Sequence, residues 1–171
     1  MQFVIDGNNL TYAYAEVAGP TIGRQHLCEL LGRWASRSQA AVTIVFDGPS
    51  PPAGVRQQMQ HDALEILFSE SRTADEVIED LVERAASPPN VCLVTSDRAL
   101  AAAGRHRRCR WIRSQDFVRT LTARPATTHA EPAGRGEKPE TQAPRDVDAW
   151  LRQFGLPADD PDDLTDLMKW W

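Results

Sequence analysis

Lysine is missing from the first 124 residues, cysteine is scarce, and no long apolar run occurs. The three cysteines, Cys28, Cys92 and Cys109, are odd in number and lack CxxC spacing, so neither a disulfide framework nor a zinc site is expected. Cys92 sits inside an apolar run and reads as a small buried hydrophobe. No stretch approaches the roughly 20 apolar residues that cross a bilayer. The opening MQFVIDGNN has no basic region, and its apolar run is too short for a secretory signal. A cytoplasmic protein without a membrane partner is the expectation. Missing motifs narrow the chemistry further. Neither the phosphate loop GxxxxGK(S/T) nor the dinucleotide fingerprint GxGxxG is present.

Charge is unevenly spread. The net charge is −5, yet residues 1–124 balance 14 arginines against 14 carboxylates, so the excess acid belongs to residues 125–171. Residues 98–124 hold eight arginines against the single acid Asp116. A local basic face is therefore expected despite the low isoelectric point.

Two periodicities alternate along residues 1–124. Short apolar runs occur at FVI (3–5), AVTIVF (41–46), LEILF (64–68), VCLVT (91–95) and RWI (110–112). Near-continuous apolar character suits strands buried on both faces. Helical spacing links Leu27, Leu30, Leu31 and Trp34, then Val77, Ile78, Leu81, Val82 and Ala85. It returns at Leu100 and Ala103, and again at Phe117, Val118 and Leu121. The alternation predicts an α/β fold, a mostly parallel sheet with helices on both faces. Residues 125–145 are rich in Pro, Gly, Thr and charge and read as a disordered linker. Residues 146–171 carry two short amphipathic patterns. This helical tail either packs on its own domain or offers a helix to a protein partner.

The aspartates fall in one kind of place. Asp6 follows FVI, Asp47 follows VTIVF, Asp97 follows VCLVTS, and Asp75 opens the helix after LEILFS. In a parallel sheet all strand C-termini and helix N-termini share one edge, where open α/β sheets bind ligands. Any one such Asp is commonly a turn residue or helix cap. Four together are harder to assign that way, because gathered carboxylates repel unless protonated or neutralised by a cation. Oxygen ligands without His or Cys favour Mg²⁺ or Mn²⁺. A divalent ion so held activates water and stabilises charge on phosphate oxygens. Metal-dependent phosphodiester hydrolysis is the predicted chemistry. Phosphoaspartate phosphatases, another acidic-pocket class, need Asp-x-Asp after the first strand, whereas this chain has Asp6-Gly7-Asn8. They and response-regulator receivers also need a site lysine, which is absent here.

VIDGNNL (4–10), VFDG (45–48), TADEVIEDLV (73–82) and VTSDRAL (94–100) occur in an order and spacing that resemble the NYN/YacP-like nucleases of the PIN-like superfamily. The likeness covers about residues 2–124, with linker and tail outside it. It implies a three-layer α/β/α PIN-like (NYN) domain at 1–124 and magnesium- or manganese-dependent endoribonuclease activity. It matches Asp6, Asp75 and Asp97 to the family's site acids and Asn9 to a supporting hydrogen-bonding residue. Asp47 stands where many relatives also carry Asp and is expected as a further metal ligand. Asn8 departs from the pattern, since relatives often have an aromatic residue there. Some relatives cleave mRNA on ribosomes, so RNA is the implied partner, with the ribosome as a further one.

Other residues have two readings each. Glu76 assists the metal site or favours the helix N-terminus by its charge. Ser96, with Thr95, orients Asp97 or caps a helix. Arg98, Arg105, Arg107, Arg108 and Arg110 contact RNA phosphates or form a solvated run. Trp111 stacks a base or packs in the core. Glu79, Asp80 and Glu83 are expected on the solvated face of their helix, Glu79 lying one turn below Asp75. Two other functions compete with RNA cleavage: RNA binding without catalysis, and cleavage of structured DNA.

Overall fold

Each of the five apolar runs forms a strand. The computed structural model describes residues 1–122. Its strands are β1 (Gln2–Asp6), β2 (Ala41–Phe46), β3 (Leu64–Phe68), β4 (Val91–Val94) and β5 (Arg110–Ile112). They make one sheet in the order β3-β2-β1-β4-β5, and every pairing is parallel. The helices are α1 (Gly7–Ala18), α2 (Arg24–Ser38), α3 (Ala53–Met59), α4 (Ala74–Glu83), α5 (Arg98–His106) and α6 (Ser114–Thr122). A 3-10 turn, Pro88–Asn90, leads into β4.

Successive strand residues point to opposite faces, and both faces are covered. Phe3, Ile5, Val42, Ile44, Phe46, Cys92 and Val94 pack on one side with Leu10, Leu27, Leu31, Trp34 and Phe117, from α1, α2 and α6. Val4, Val45, Val91 and Leu93 pack on the other with Ile78, Val82 and Leu100, from α4 and α5. The architecture is thus three-layer α/β/α. Trp34 of α2 sets its ring edge-on to Phe3 and to Phe117, 5.0 Å between centroids in each case, and so ties β1, α2 and α6 together.

One helix escapes the sequence pattern. A single helix is predicted between β1 and β2, and two are found. Residues Gly7, Asn8 and Asn9 are poor helix formers, and α1 buries only Gly7, Leu10 and Ala13, too short a stripe to show a clear period. What starts α1 is the Asp6 side chain, which caps it directly, with no intervening loop.

The linker expected over 125–145 and the tail expected over 146–171 lie outside the described residues. Among the described residues no helix is long and apolar enough to cross a membrane.

Candidate active site

The chain winds outward from β1 through β2 to β3, then returns to place β4 on the other side of β1. The C-terminal ends of β1 and β4 therefore flank the point where strand order reverses, the usual ligand crevice of such sheets. Asp6 ends β1 and is buried, only 2% exposed. Its Oδ1 accepts from the Asn9 backbone N–H at 3.0 Å. Its Oδ2 accepts from the Asn9 side-chain amide and from the Thr95 hydroxyl, the latter at 3.3 Å. Asn9 thus clamps both carboxylate oxygens of Asp6.

Thr95, fully buried just after β4, links two acids. Besides donating to Asp6, its Oγ1 accepts from the Asp97 backbone N–H at 3.0 Å. Asp97 caps α5, its Oδ1 accepting from Ala99 N–H at 2.7 Å and Leu100 N–H at 2.9 Å. Ser96 serves a different element. Its hydroxyl donates to Gln115 at 2.8 Å and accepts from Ser114 N–H at 3.3 Å. Gln115 in turn donates to Glu16 at 2.9 Å, so Ser96 anchors α6 and the end of α1 rather than orienting Asp97.

Across β1, Asp47 and Ser69 directly follow β2 and β3. Oδ1 of Asp47 accepts from the Ser69 hydroxyl and from Ala74 N–H, each at 3.1 Å. Thr73 caps α4 through a reciprocal box. Its hydroxyl accepts from Glu76 N–H at 3.2 Å while the Glu76 carboxylate accepts from Thr73 N–H at 3.0 Å. Glu76 also lies 3.8 Å from the Arg72 guanidinium. Its side chain is therefore occupied at the helix start. The side chain of Asp75, beside it, makes no hydrogen bond or ion pair to any described residue.

Asp75 nevertheless senses the others. Its carboxyl is raised above the ordinary carboxylate range, by burial first and then by the charges of Asp6, Asp97, Glu79 and Asp47 in decreasing order. Four strand-end acids and Glu79 therefore share one field, with no cationic side chain pulling the Asp75 value down. Among the described residues no three His, Cys, Asp or Glu side chains stand close enough to cage a metal ion by themselves. A Mg²⁺ ion there would take one or two carboxylates and complete its shell with water and substrate phosphates. The donor set, all carboxylate with uncompensated charge, fits such an ion.

A stability prediction follows from Asp75. The native state holds its proton more tightly than the unfolded chain does, whose Asp titrates near 3.9. Stability is thus greatest below that value and is lost as pH rises through the raised native one. Asp75 keeps contact with solvent, so the effect is screened to about 0.5 kcal/mol. Asp75→Asn is expected to raise the neutral-pH melting temperature of the metal-free protein slightly and to flatten its pH dependence above pH 4. Thermal melts in chelator at several pH values check this; unchanged profiles would count against the shared field.

The arginines divide between two edges. Arg98 begins α5 beside Asp97. Arg105, Arg107, Arg108 and Arg110 lie at the far end of α5 and the start of β5, about 13 Å away at 1.5 Å per helical residue. Arg107 donates to the Glu83 carbonyl at 2.6 Å. Arg105 and Arg113 lie over the Trp111 ring at 5.2 and 5.8 Å, while its indole N–H donates to the Thr95 carbonyl at 2.9 Å. Trp111 is thus packed in place beneath the acidic edge, half-buried, with its ring engaged by cations. Asp80 bonds Arg72 at 2.7 Å, and that guanidinium holds its carboxyl below the usual range.

A family model, the YacP-like NYN domain, matches residues 3–150. The chain belongs to this family. The match continues past residue 124 to residue 150, beyond the extent that the sequence motifs suggest. NYN domains of this kind are nuclease-type domains. Two solved structures share the fold. Rae1 (YacP) from Bacillus subtilis is 19% identical with a TM-score of 0.55, covering 71% of this chain and 73% of that one. A tryptophan-to-leucine mutant of the same protein is 22% identical with a TM-score of 0.54, covering 71% and 74%. No curated protein matches. Within this NYN domain the motif residues sit at the strand ends, whereas Ser69, Gln115 and Glu16 carry no motif. The one sequence signal for Ser69 is its place, the first polar residue after an apolar strand.

Proposed function

We propose that this chain is a Mg²⁺- or Mn²⁺-dependent endoribonuclease, a hydrolase that cleaves phosphodiester bonds within RNA. The observation that carries this reading is the meeting of Asp6, Asp97 and Asp75 at the strand-order reversal, with no cation among the described residues neutralising Asp75. Asp6, Asp75 and Asp97 would hold the ion partly through water, with no more than two of them bound to it directly, supported by the Asn9 clamp and the Thr95 bridge. When bound, it supplies Lewis acidity, which lowers the proton affinity of water and stabilises charge on phosphate oxygens. Asn9 and Thr95 fix the direction of the Asp6 carboxylate through their hydrogen bonds to its two oxygens. Arg98 offers a cation for substrate phosphate at the same edge. Arg105, Arg107, Arg108 and Arg110 form a second, distant contact for the RNA backbone, so the bound RNA spans several nucleotides. Messenger RNA, including mRNA on ribosomes, is the substrate class implied by the family resemblance. A cytoplasmic setting belongs to the same proposal.

Purified protein incubated with single-stranded RNA is expected to cleave internally with Mn²⁺ and to stop in chelator. Inertness with both ions, or undiminished cleavage in chelator, would overturn the proposal. Equal cleavage of single-stranded DNA would reassign the substrate, and tight RNA binding without cleavage would make this a binding module.

A further inference from the structure

Asp47 already serves the fold through its side chain, which joins the end of β2 to the start of α4. It directly follows β2, one position before Gly48, whose backbone φ is +95°. A single oxygen, Oδ1, takes two hydrogen bonds from the neighbouring β3–α4 connection. The first comes from the hydroxyl of Ser69, which is 3% exposed. That hydroxyl in turn accepts from Gly48 N–H at 2.9 Å, closing a small ring between the two strand ends. The second comes from the backbone N–H of Ala74, the first residue of α4. That amide is one of the donors that a helix start leaves without an internal partner. Nor are these bonds alone. Ser69 N–H bonds the Phe46 carbonyl at 3.0 Å, and Glu70 N–H bonds the Gly48 carbonyl at 3.0 Å. Arg24 bonds the Asp47 carbonyl at 2.9 Å.

From this network we infer that Asp47 is a positioning residue: its side chain pins the N-terminus of α4 and so sets where Asp75, the next residue along, presents its carboxylate. The inference rests on the nuclease reading for the consequence to catalysis, but the pinning itself stands on hydrogen bonds. The chemistry is specific. What Ser69 and Ala74 need at position 47 is an accepting oxygen, not a negative charge. Asparagine supplies the same oxygen on the same side-chain length, and Asn and Asp are near equals at helix starts. A direct metal ligand behaves differently, since a neutral amide is a poor replacement for a carboxylate on Mg²⁺.

Asp47→Asn, Asp47→Ala and Ser69→Ala in the full chain separate the two roles. Asp47→Asn is expected to keep Mn²⁺-dependent RNA cleavage within about threefold of wild type, with an unchanged Mn²⁺ requirement. Asp47→Ala and Ser69→Ala are expected to lose about 10–100-fold, the usual cost of removing an orienting partner. A second readout needs no activity. Hydrogen exchange of the Ala74 amide, followed by NMR, should stay slow in wild type and Asp47→Asn and speed up about tenfold or more in Asp47→Ala. Loss of activity in Asp47→Asn as deep as that in Asp97→Asn would overturn the inference, as would an Ala74 amide indifferent to Asp47→Ala. If wild type itself proves inert on RNA, the nuclease reading fails and the amide exchange still decides the role of Asp47.

Discussion

Replacing Asp97 by asparagine is expected to lower Mn²⁺-dependent RNA cleavage by about 10²–10³-fold, the equivalent of several kcal/mol of transition-state stabilisation. The folded protein should hardly register the change. Asp97 Oδ1 caps α5 through Ala99 and Leu100, and an asparagine oxygen accepts those bonds equally well. The substitution therefore removes a charge and leaves the cap. Asp6→Asn is a less clean experiment. Both oxygens of Asp6 accept bonds, and an amide nitrogen placed at Oδ2 would face the Asn9 amide, itself a donor. Some loss of stability, about 1–2 kcal/mol, should accompany its loss of activity. Melting curves beside cleavage rates distinguish the two variants. An active Asp97→Asn enzyme would remove the central acid from the proposed mechanism.

The other large effect comes from one carbon atom. Gly7 is the residue between Asp6 and the rest of α1, and it packs against β2. A Cβ built there would lie 2.5 and 2.6 Å from two ring carbons of Phe46 and 2.8 Å from the Val45 carbonyl oxygen. Phe46 is fully buried and the Val45 backbone belongs to the sheet, so neither yields cheaply. Gly7→Ala is expected to cost about 3 kcal/mol through overpacking, a fall in melting temperature on the order of 10 °C. Well below that temperature the variant should still cleave poorly. The new methyl pushes α1 from β2 and shifts Asp6 with it, and a displacement near 1 Å costs about 10²-fold. A Gly7→Ala protein with native melting and native rate would show that the junction has slack. The glycine of the Asp-Gly pair is thus a steric requirement of the fold beside the acid.

The central strands β1, β2 and β4 were legible because they are buried on both faces and so appear as apolar runs, a signal independent of neighbours. The edge strands β3 and β5 are only partly buried, and their apolar stretches are less continuous. The parallel order followed from the helical patterns between them. The helix α1 was hidden by its own start: the Asp6 cap and the sheet beneath it override the poor propensities of Gly7, Asn8 and Asn9. Motif reading placed Asp6, Asp47, Asp75 and Asp97 at one edge because strand ends are visible in sequence. It was blind to which oxygens were already engaged. That information lies in pairs such as Asp47 with Ala74 and Thr95 with Asp6, which are distant along the chain. The basic run at 105–110 shows the same limit. Its charge is plain in sequence, but only the direction of α5 reveals that it points to the edge opposite the acids.

The central place of β1 has a consequence in time. Asp6 is made well before Thr95, since the bond between them spans 89 positions. At about 5–20 residues per second, roughly 4–18 s of synthesis separate the two. Loops of that length close late, and parallel sheets of this kind fold slowly. Until Val91–Val94 has emerged, β1 lacks one of its two neighbours and Asp6 lacks its threonine. On the proposed reading, the emerging chain carries no working nuclease until β4 has joined β1 and Thr95 has reached Asp6.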